Sequence, residues 1–270
     1  MNAKAAKIIT HILLILMSFM AVFPLYWMIV SSLKGPAEIF GYDIIAKSPT
    51  LVNYVEAFTA KPLLKMLFNS IIISVGTAFF QIVLAVLFAY AFTRWEFKGK
   101  TLVYGLISII WLVPIQAIMV PNYVNIVRMG LNNTVLAIIL PHCCSVFANI
   151  TMYQNFNLMP KALIDAARLD GSNELKILCD IVLPNMKSSI SAVAIVQVIS
   201  AWNDYLWPAL IARSDEIAPI QIGLKSFTGG DGNMWGAVMA ASTISTIPIL
   251  IIYLFMSSKI IDSFMKGGIK

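Results

Sequence analysis

Charged residues are scarce in this sequence of 270 residues: 12% are Asp, Glu, Lys or Arg, whereas about 25% is usual for a soluble domain. Hydrophobic residues make up 59%. A soluble fold of this size needs many more charged groups to cover its surface, so much of this surface must face an apolar medium. The composition therefore excludes a soluble globular protein and predicts one that is embedded in lipid.

Residues for metal, redox and nucleic-acid sites are also missing. The three cysteines, Cys143, Cys144 and Cys179, lack CxxC spacing, so neither a zinc site nor a disulfide framework is indicated. The net charge of +6 comes from basic residues scattered between apolar runs, with no basic stripe interleaved with aromatic residues. We therefore expect no metal site and no nucleic-acid partner.

A complete catalytic motif is missing too. The tripeptide Gly-Lys-Thr at 99–101 resembles the end of a phosphate-binding loop, but the earlier glycine that such a loop needs is Arg94 here. The two histidines, His11 and His142, lie far apart in apolar surroundings, and no nucleophile, base and orienting group come together in the sequence. We predict that the chain is not an enzyme, has no catalytic residue and binds no cofactor itself.

Long apolar runs are what the sequence has instead. A helix that crosses a bilayer needs about 20 mostly apolar residues. The first candidate follows Lys4 and Lys7 as a secretory signal would, but it is too long and lacks a small-residue cleavage site, so we interpret it as a retained span. The sequence thus predicts an all-α, polytopic membrane protein with six transmembrane helices in a single domain, 1–270. The six stretches are 8–31, 67–93, 102–120, 134–153, 189–211 and 235–258.

Several of these stretches contain proline, namely Pro24, Pro114, Pro141 and Pro248. Each proline removes a backbone donor and can kink a helix, which membrane bundles tolerate when neighbouring groups satisfy the freed carbonyl. Such a kink either bends a packing surface or forms a hinge near a pathway. Both interpretations remain open.

The distribution of positive charge predicts the orientation of the spans. If the amino terminus is cytoplasmic, twelve of the 19 Lys and Arg residues fall in cytoplasmic segments and seven in outer ones. We therefore predict a multi-pass protein of the cell membrane with both termini in the cytoplasm. Residues 33–66 then form an outer loop, and residues 157–188 form a cytoplasmic loop between the fourth and fifth helices.

The predicted cytoplasmic loop concentrates charge in the stretch IDAARLDGSNELKILCDIVLP. Pro160 suits the first turn of a helix, and Gly171 can end that helix in the left-handed conformation. Ser172 or Asn173 can cap a second short helix, which the Leu-Pro pair at 183–184 would close. The pattern predicts a helix–turn–helix.

One face of the first loop helix is apolar. Ala162, Leu163, Ala166 and Leu169 would form a small ridge flanked by charge, which can dock into the groove of a partner. A hairpin lying at the lipid boundary is the alternative, but the acidic side chains argue against it, because helices that seek the interface are usually basic. These acidic residues are Asp165, Asp170, Glu174 and Asp180.

This stretch resembles the EAA loop of permease subunits in binding-protein-dependent ABC importers, which has Glu-Ala-Ala, then Gly, and later Ile-x-Leu-Pro. The corresponding segments are DAARLDG at 165–171 and IVLP at 181–184, where Asp165 replaces the usual glutamate and Ser188 a common proline. The rest of the chain is similar to the MalG-like permeases of carbohydrate importers. The segments that carry this similarity are PLYWMIVSSLK, PTLVNYVEAF, AYAFTRWEFKGK, AWNDYLWP and MKGGIK.

The resemblance implies a permease subunit of an ATP-driven importer. Such a subunit forms half of the translocation pathway for a carbohydrate, here an oligosaccharide, a sugar or a polyol derivative. The implied partners are a homologous second permease, a cytoplasmic dimer of ATP-binding subunits that holds ATP and Mg, an extracytoplasmic solute-binding protein and membrane lipid. The residues it implies for coupling to the ATPase are Asp165, Ala166, Ala167, Arg168, Asp170, Gly171, Leu183 and Pro184.

Polar residues within the predicted spans are candidates for the solute pathway. A carboxylate inside a span is costly and marks a pathway or a buried partner, although Asp204 near the outer end could also reach interfacial water beside a Trp belt. Amides suit the hydroxyl groups of a sugar and aromatic rings suit its faces, but amides also hold helices together. The candidates are Trp202, Asn203, Asp204, Tyr205, Gln197 and Asn69.

An ion-coupled secondary carrier is the alternative function. Carriers of that kind usually have ionisable residues near mid-membrane, or broken helices in two repeated halves. This chain has no obvious internal repeat, and its acidic residues cluster in loops. A structural membrane subunit without transport activity would leave the charged loop unexplained.

Overall fold

The computed structural model describes the backbone of residues 3–228 and 234–268 and the side chains of 7–228 and 234–255. The described part of the chain is built from α-helices and has no strand, as the sequence predicts. The side chains of the MKGGIK motif and residues 269–270 lie outside the described residues. The helices are α1 (Ala3–Ser32), α2 (Val52–Ala60), α3 (Leu63–Arg94), α4 (Lys100–Ile110), α5 (Ile115–Arg128), α6 (Val135–Ile139), α7 (Val146–Asn157), α8 (Lys161–Leu169), α9 (Glu174–Lys176), α10 (Leu183–Trp202), α11 (Leu206–Ile211), α12 (Ile220–Ser226) and α13 (Trp235–Gly268), with a 3₁₀ turn at Leu140–His142 and a π turn at Ile177–Val182.

Helix length and composition support a multi-pass membrane protein. Two bent pairs of helices, α4 with α5 at 95° and Val135–His142 with α7 at 48°, each have the composition of one broken span. If each pair is one span, the described chain has six, as predicted. The four continuous segments that are long and apolar enough to cross a bilayer are Lys7–Ser32, Leu63–Arg94, Glu174–Trp202 and Trp235–Phe255.

The third and fourth spans are broken at two of the four prolines that the sequence analysis identifies as possible kinks. Pro114 separates α4 from α5 and has an extended backbone with a ψ of 133°. A proline also keeps the preceding residue out of the helical region, which explains why α4 ends before it. Pro141 lies in the 3₁₀ turn that follows α6. Pro24 and Pro248, by contrast, lie inside continuous helices.

The predicted position of the fifth span, 189–211, is wrong at both ends. The helix runs from Glu174 through the π turn to Trp202, so the Leu-Pro pair at 183–184 does not close α9. Pro184 is tolerated because it falls in the first turn of α10, directly after the π turn. The helix ends before α11, and Pro208 lies in the first turn of α11, where its missing N–H leaves no helical hydrogen bond unmade.

The described chain contains two compact units, which are considered separately. Residues 1–64 with 222–247 form the first unit, and residues 65–221 with 248–270 form the second. The single domain over 1–270 stays a prediction.

In the first unit, a buried asparagine fixes the segment that follows α1. Asn53 in α2 donates from Nδ2 to the carbonyls of Ser32 and Lys34, at 2.9 and 2.7 Å. Lys34 is fully buried, and its Nζ lies 4.2 Å from the ring centre of Trp27. Gly236 of α13 lies directly against Asn53, with no room for a Cβ. Polar contacts therefore hold together this part of the predicted outer loop.

In the second unit, a hydrophobic core lies between α3, α7, α8, the π turn and α10. The small residues Ala85 and Ala89 of α3 are fully buried there and let the neighbouring helices approach closely. Met152, Phe156 and Ile177 pack into the same core. This packing places the charged loop against the carboxyl end of α3.

Candidate functional site

The charged loop forms the predicted helix–turn–helix. After α8, Gly171 has a φ of +78°, in the left-handed region that favours glycine. The N–H of Ser172 donates to the carbonyl of Ala167 at 3.0 Å, as in the Schellman motif that ends many helices. The side chain of Asn173 accepts a hydrogen bond from the N–H of Lys176 at 2.8 Å and so begins α9.

The apolar ridge on α8, formed by Ala162, Leu163, Ala166 and Leu169, is exposed. Leu163 is 46% exposed and Leu169 is 90% exposed. Ile164, on the opposite face of the helix, is buried in the core of the unit. The α8 ridge therefore presents apolar area that a protein partner can cover.

Of the eight residues predicted to couple to an ATPase, two are covered by the core of the unit and six are exposed. Ala167 is buried in the core of the unit, and Leu183 is half-buried against it, so both shape the loop from within. The others can meet a partner directly. The exposed residues are Asp165, Ala166, Arg168, Asp170, Gly171 and Pro184.

Glu174 joins the charged loop to the carboxyl end of α3. Its Oε1 accepts hydrogen bonds from Nε of Arg168 at 2.9 Å and from Nη2 of the same side chain. Its Oε2 accepts from the hydroxyl of Tyr90 at 2.5 Å and lies 3.8 Å from Nε of Arg94. The Arg94 side chain is 7% exposed, and its Nε and Nη2 find no hydrogen-bond partner within the described chain. Glu174 is thus the counter-charge of a nearly buried guanidinium.

This group of four side chains, the Glu174 cluster, was only partly visible in the sequence. Arg168 was predicted as a coupling residue, whereas Tyr90, Arg94 and Glu174 were not. Tyr90 and Arg94 belong to the segment AYAFTRWEFKGK, and Glu174 is one of the acidic residues of the loop. The sequence indicates this cluster only in that Arg94, Arg168 and Glu174 have opposite charges and are all predicted to lie on the cytoplasmic side.

A polar cavity of about 280 Å³ lies in the second unit among α3, α5, α6, α10 and α11. Nε2 of Gln81 donates to the carbonyl of His142 at 2.7 Å, and Nε2 of Gln197 donates to Oε1 of Gln81 at 2.6 Å. Nε2 of His142 lies 3.9 Å from Oδ2 of Asp204. The cavity therefore brings amides, an imidazole and a carboxylate next to the ring of Trp207.

Three of the predicted pathway residues, Gln197, Asn203 and Asp204, line the polar cavity. Gln81 and His142 line it as well, although neither was predicted as a pathway residue. A polar or ionisable side chain within an apolar stretch was the signal for both.

The other three predicted pathway residues lie elsewhere. Trp202 is buried, and Tyr205 does not line the cavity. Asn69 fixes a loop, because its Nδ2 donates to the carbonyls of Glu216 and Ala218 at 2.9 and 3.1 Å. The bonds of Asn69 are those expected of an amide that holds helices and loops together.

Comparison with known proteins identifies the family. Residues 81–266, which include the charged loop and most of the polar cavity, match the family described as binding-protein-dependent transport system inner membrane component. The chain belongs to this permease family. Membership decides against the ion-coupled carrier, which was the alternative, and in favour of a permease that works with a binding protein.

Individual relatives of the permease agree with this assignment. It is 32% identical to the arabinooligosaccharides transport system permease protein AraQ of Halalkalibacterium halodurans, over 100% of both chains. It is 28% identical to the sn-glycerol-3-phosphate transport system permease protein UgpE of Agrobacterium fabrum, over 94% of each chain. These relatives are transport proteins, which is consistent with a non-catalytic subunit.

A solved structure shares the fold of the permease. It is the crystal structure of a bacterial ABC transporter involved in the import of the acidic polysaccharide alginate. One of its chains matches with a TM-score of 0.83 and 23% identity, over 94% of the permease and 96% of that chain. The permease is therefore a multi-pass membrane protein with the fold of an ABC transporter subunit.

Proposed function

We propose that the permease is one of two transmembrane subunits of an ATP-driven importer for a carbohydrate. A homologous second permease completes the pathway, and an extracytoplasmic binding protein delivers the solute. A cytoplasmic pair of ATP-binding subunits holds ATP and Mg, while this chain binds no cofactor and has no catalytic residue. The names of its relatives support an oligosaccharide or a polyol derivative as the solute.

The observation that carries this proposal is the exposed α8 ridge on a loop that is anchored to a membrane-spanning helix. The ridge is the surface on which the ATPase docks. The Glu174 cluster ties the loop beneath it to α3, so a displacement of the loop reaches α3 through Arg168, Glu174 and Arg94. Transmission of this kind needs a continuous chain of contacts between the two sites, which these residues supply.

The polar cavity lies on the solute route. Its amides and its carboxylate suit hydroxyl groups, and Trp207 offers an aromatic face to a sugar ring. Its volume of about 280 Å³ accommodates part of an oligosaccharide, with the second permease lining the remainder.

The orientation of the permease is tested by labelling. We expect both termini to be cytoplasmic, with Lys98 and Lys176 inside and Lys47 and Lys225 outside, because positive charge favours the cytoplasmic side. All four side chains are exposed. Single cysteines at these positions, in a chain without its native cysteines, are treated with an impermeant thiol reagent in intact cells. Only Lys47→Cys and Lys225→Cys should react, and reaction of Lys176→Cys from outside would reverse the orientation.

Coupling to the ATPase is tested at Asp165, which is exposed beside the α8 ridge. If this carboxylate meets a cationic group of the ATPase, Asp165→Ala leaves that group unpaired at the interface. We expect Asp165→Ala to retain the ATPase about tenfold less well, increasingly so as salt rises, and to transport poorly. Alanine favours the helix, so local unfolding would not explain the loss. Co-purification of the ATPase and solute uptake are the measurements.

Two variants control for the loss of charge at Asp165. Asp165→Glu keeps the carboxylate and should retain near-normal coupling. Asp180→Ala removes an exposed carboxylate from the π turn of the same loop and should leave the ATPase bound. Normal retention and uptake by Asp165→Ala would show that the apolar ridge alone forms the contact.

A further inference from the structure

The polar cavity is lined by an acidic side chain that has no lysine or arginine beside it among the described residues of the lining. Asp204 supplies a carboxylate, and neither lysine nor arginine occurs among the described residues that line the cavity. His142 lies 3.9 Å from this carboxylate and carries a charge only when it is protonated. Its other ring nitrogen, Nδ1, is 3.4 Å from the carbonyl of Ile138. Asp204 is therefore the one Asp, Glu, Lys or Arg side chain among the described residues that line the cavity.

The other polar groups of the cavity are uncharged. Gln81 and Gln197 form a hydrogen-bonded pair, and Ser200 and Asn203 line the cavity at the end of α10. A carboxylate accepts hydrogen bonds from the neighbouring hydroxyls of a sugar. A solute carboxylate is ionised at neutral pH and a solute phosphate carries at least one negative charge, so either meets a like charge in a place that is partly shielded from water.

We propose that Asp204 makes the polar cavity accept uncharged, hydroxyl-rich solutes and repel anionic ones such as uronates and phosphorylated polyols. This inference rests on the proposed solute route through the cavity. The charge at Asp204 distinguishes two classes of solute that sequence identity does not distinguish. The relatives at 32% and 28% identity are named for a neutral oligosaccharide and an anionic polyol phosphate. The charge of the cavity favours the first class.

The first test measures the electrostatic potential of the cavity with charged thiol reagents. Ser200, which is exposed and lines the cavity, is replaced by cysteine in a full-length permease without its native cysteines. The permease is assembled with its partner subunits, which also lack accessible cysteines, in lipid nanodiscs. Modification rates are measured for the cationic MTSET, the anionic MTSES and a neutral methanethiosulfonate, each relative to its rate with 2-mercaptoethanol. We expect the corrected rate to be about tenfold higher for the cationic than for the anionic reagent, falling to about twofold in Asp204→Asn. Asp204→Glu keeps the charge and should keep the tenfold ratio.

The second test compares solutes. Arabinotriose should slow the reaction of Ser200→Cys with the neutral reagent, whereas trigalacturonate at the same concentration should not. In Asp204→Asn the two trisaccharides should protect alike, because the carboxylate that repels trigalacturonate has been removed.

The outcomes distinguish this inference from the proposed function. Equal corrected rates for the two charged reagents, or protection by trigalacturonate as strong as by arabinotriose, would overturn the selectivity and leave the permease function intact. Protection by neither trisaccharide would overturn the solute class. If the neutral reagent fails to react, the cavity does not lie on the solute route, and both the selectivity and the proposed route are overturned. The coupling to the ATPase, which the Asp165 variants test, is not affected by that outcome.

Discussion

Glu174→Gln is expected to lower the free energy of unfolding of the permease by about 2 to 3 kcal/mol and to uncouple transport from ATP hydrolysis. Its carboxylate accepts from Arg168 and Tyr90 and is the counter-charge of Arg94, which is 7% exposed. Removing one partner of a buried pair commonly costs about 3 to 5 kcal/mol, because the other charge stays buried and unpaired. The smaller figure applies because Glu174 is itself 38% exposed, so water screens part of the loss.

Thermal unfolding in lipid nanodiscs measures the stability, and the ratio of solute uptake to ATP hydrolysis measures the coupling. Glu216→Gln is the matched control. Glu216 forms an ion pair with Lys65, and the two side chains are 73% and 45% exposed. An exposed pair contributes little, so this variant should melt and couple normally. Equal melting temperatures and equal coupling for the two variants would contradict the role assigned to Glu174.

The Glu174 cluster also shows what the sequence could not predict. The turn at Gly171 and the cap at Asn173 could be predicted because each depends on a few neighbouring residues. The pairing of Glu174 with Arg94 depends instead on how the charged loop packs against α3. Charge patterning can place both on one side of the membrane, but only the packed core brings the two side chains together.

The membrane spans show a similar division. Apolar length predicts six spans, because crossing a bilayer sets a minimum run of apolar residues, but it misplaces both ends of the fifth. It did not locate the breaks. Pro114 separates two helices, whereas Pro24 lies within one, so proline marks where a helix can break and the surrounding contacts decide whether it does.

The end of α10 explains why the pathway prediction was partly right. The prediction placed residues 202–205 in one helix, but the helix stops at Trp202. The break turns Asn203 and Asp204 into the cavity, while Trp202 stays buried. Composition identifies these four residues as candidates for the pathway. Only the position of the helix break shows which of them line the cavity.

Gly236→Ala is expected to lower the free energy of unfolding by about 3 kcal/mol, through the hydrogen bonds of Asn53. A Cβ at Gly236 would lie 2.5 Å from Cγ of Asn53 and 3.1 Å from its Nδ2. Asn53 cannot move away without releasing the carbonyls of Ser32 and Lys34, to which it donates at 2.9 and 2.7 Å. Each buried polar group left without a partner costs about 1 to 3 kcal/mol. Thermal unfolding of the permease in nanodiscs gives the loss directly.

Gly105→Ala is the matched control for this prediction. It makes the same change inside α4, where no atom lies within 4 Å of the added Cβ, so stability should stay the same or rise by up to about 1 kcal/mol. Asn53→Ala removes both the hydrogen bonds and the obstacle, so adding Gly236→Ala to it should cost little more, and the two changes should be strongly non-additive. If Gly236→Ala melts like Gly105→Ala, or if its cost adds in full to that of Asn53→Ala, then the close approach of α13 to Asn53 does not stabilise the first unit.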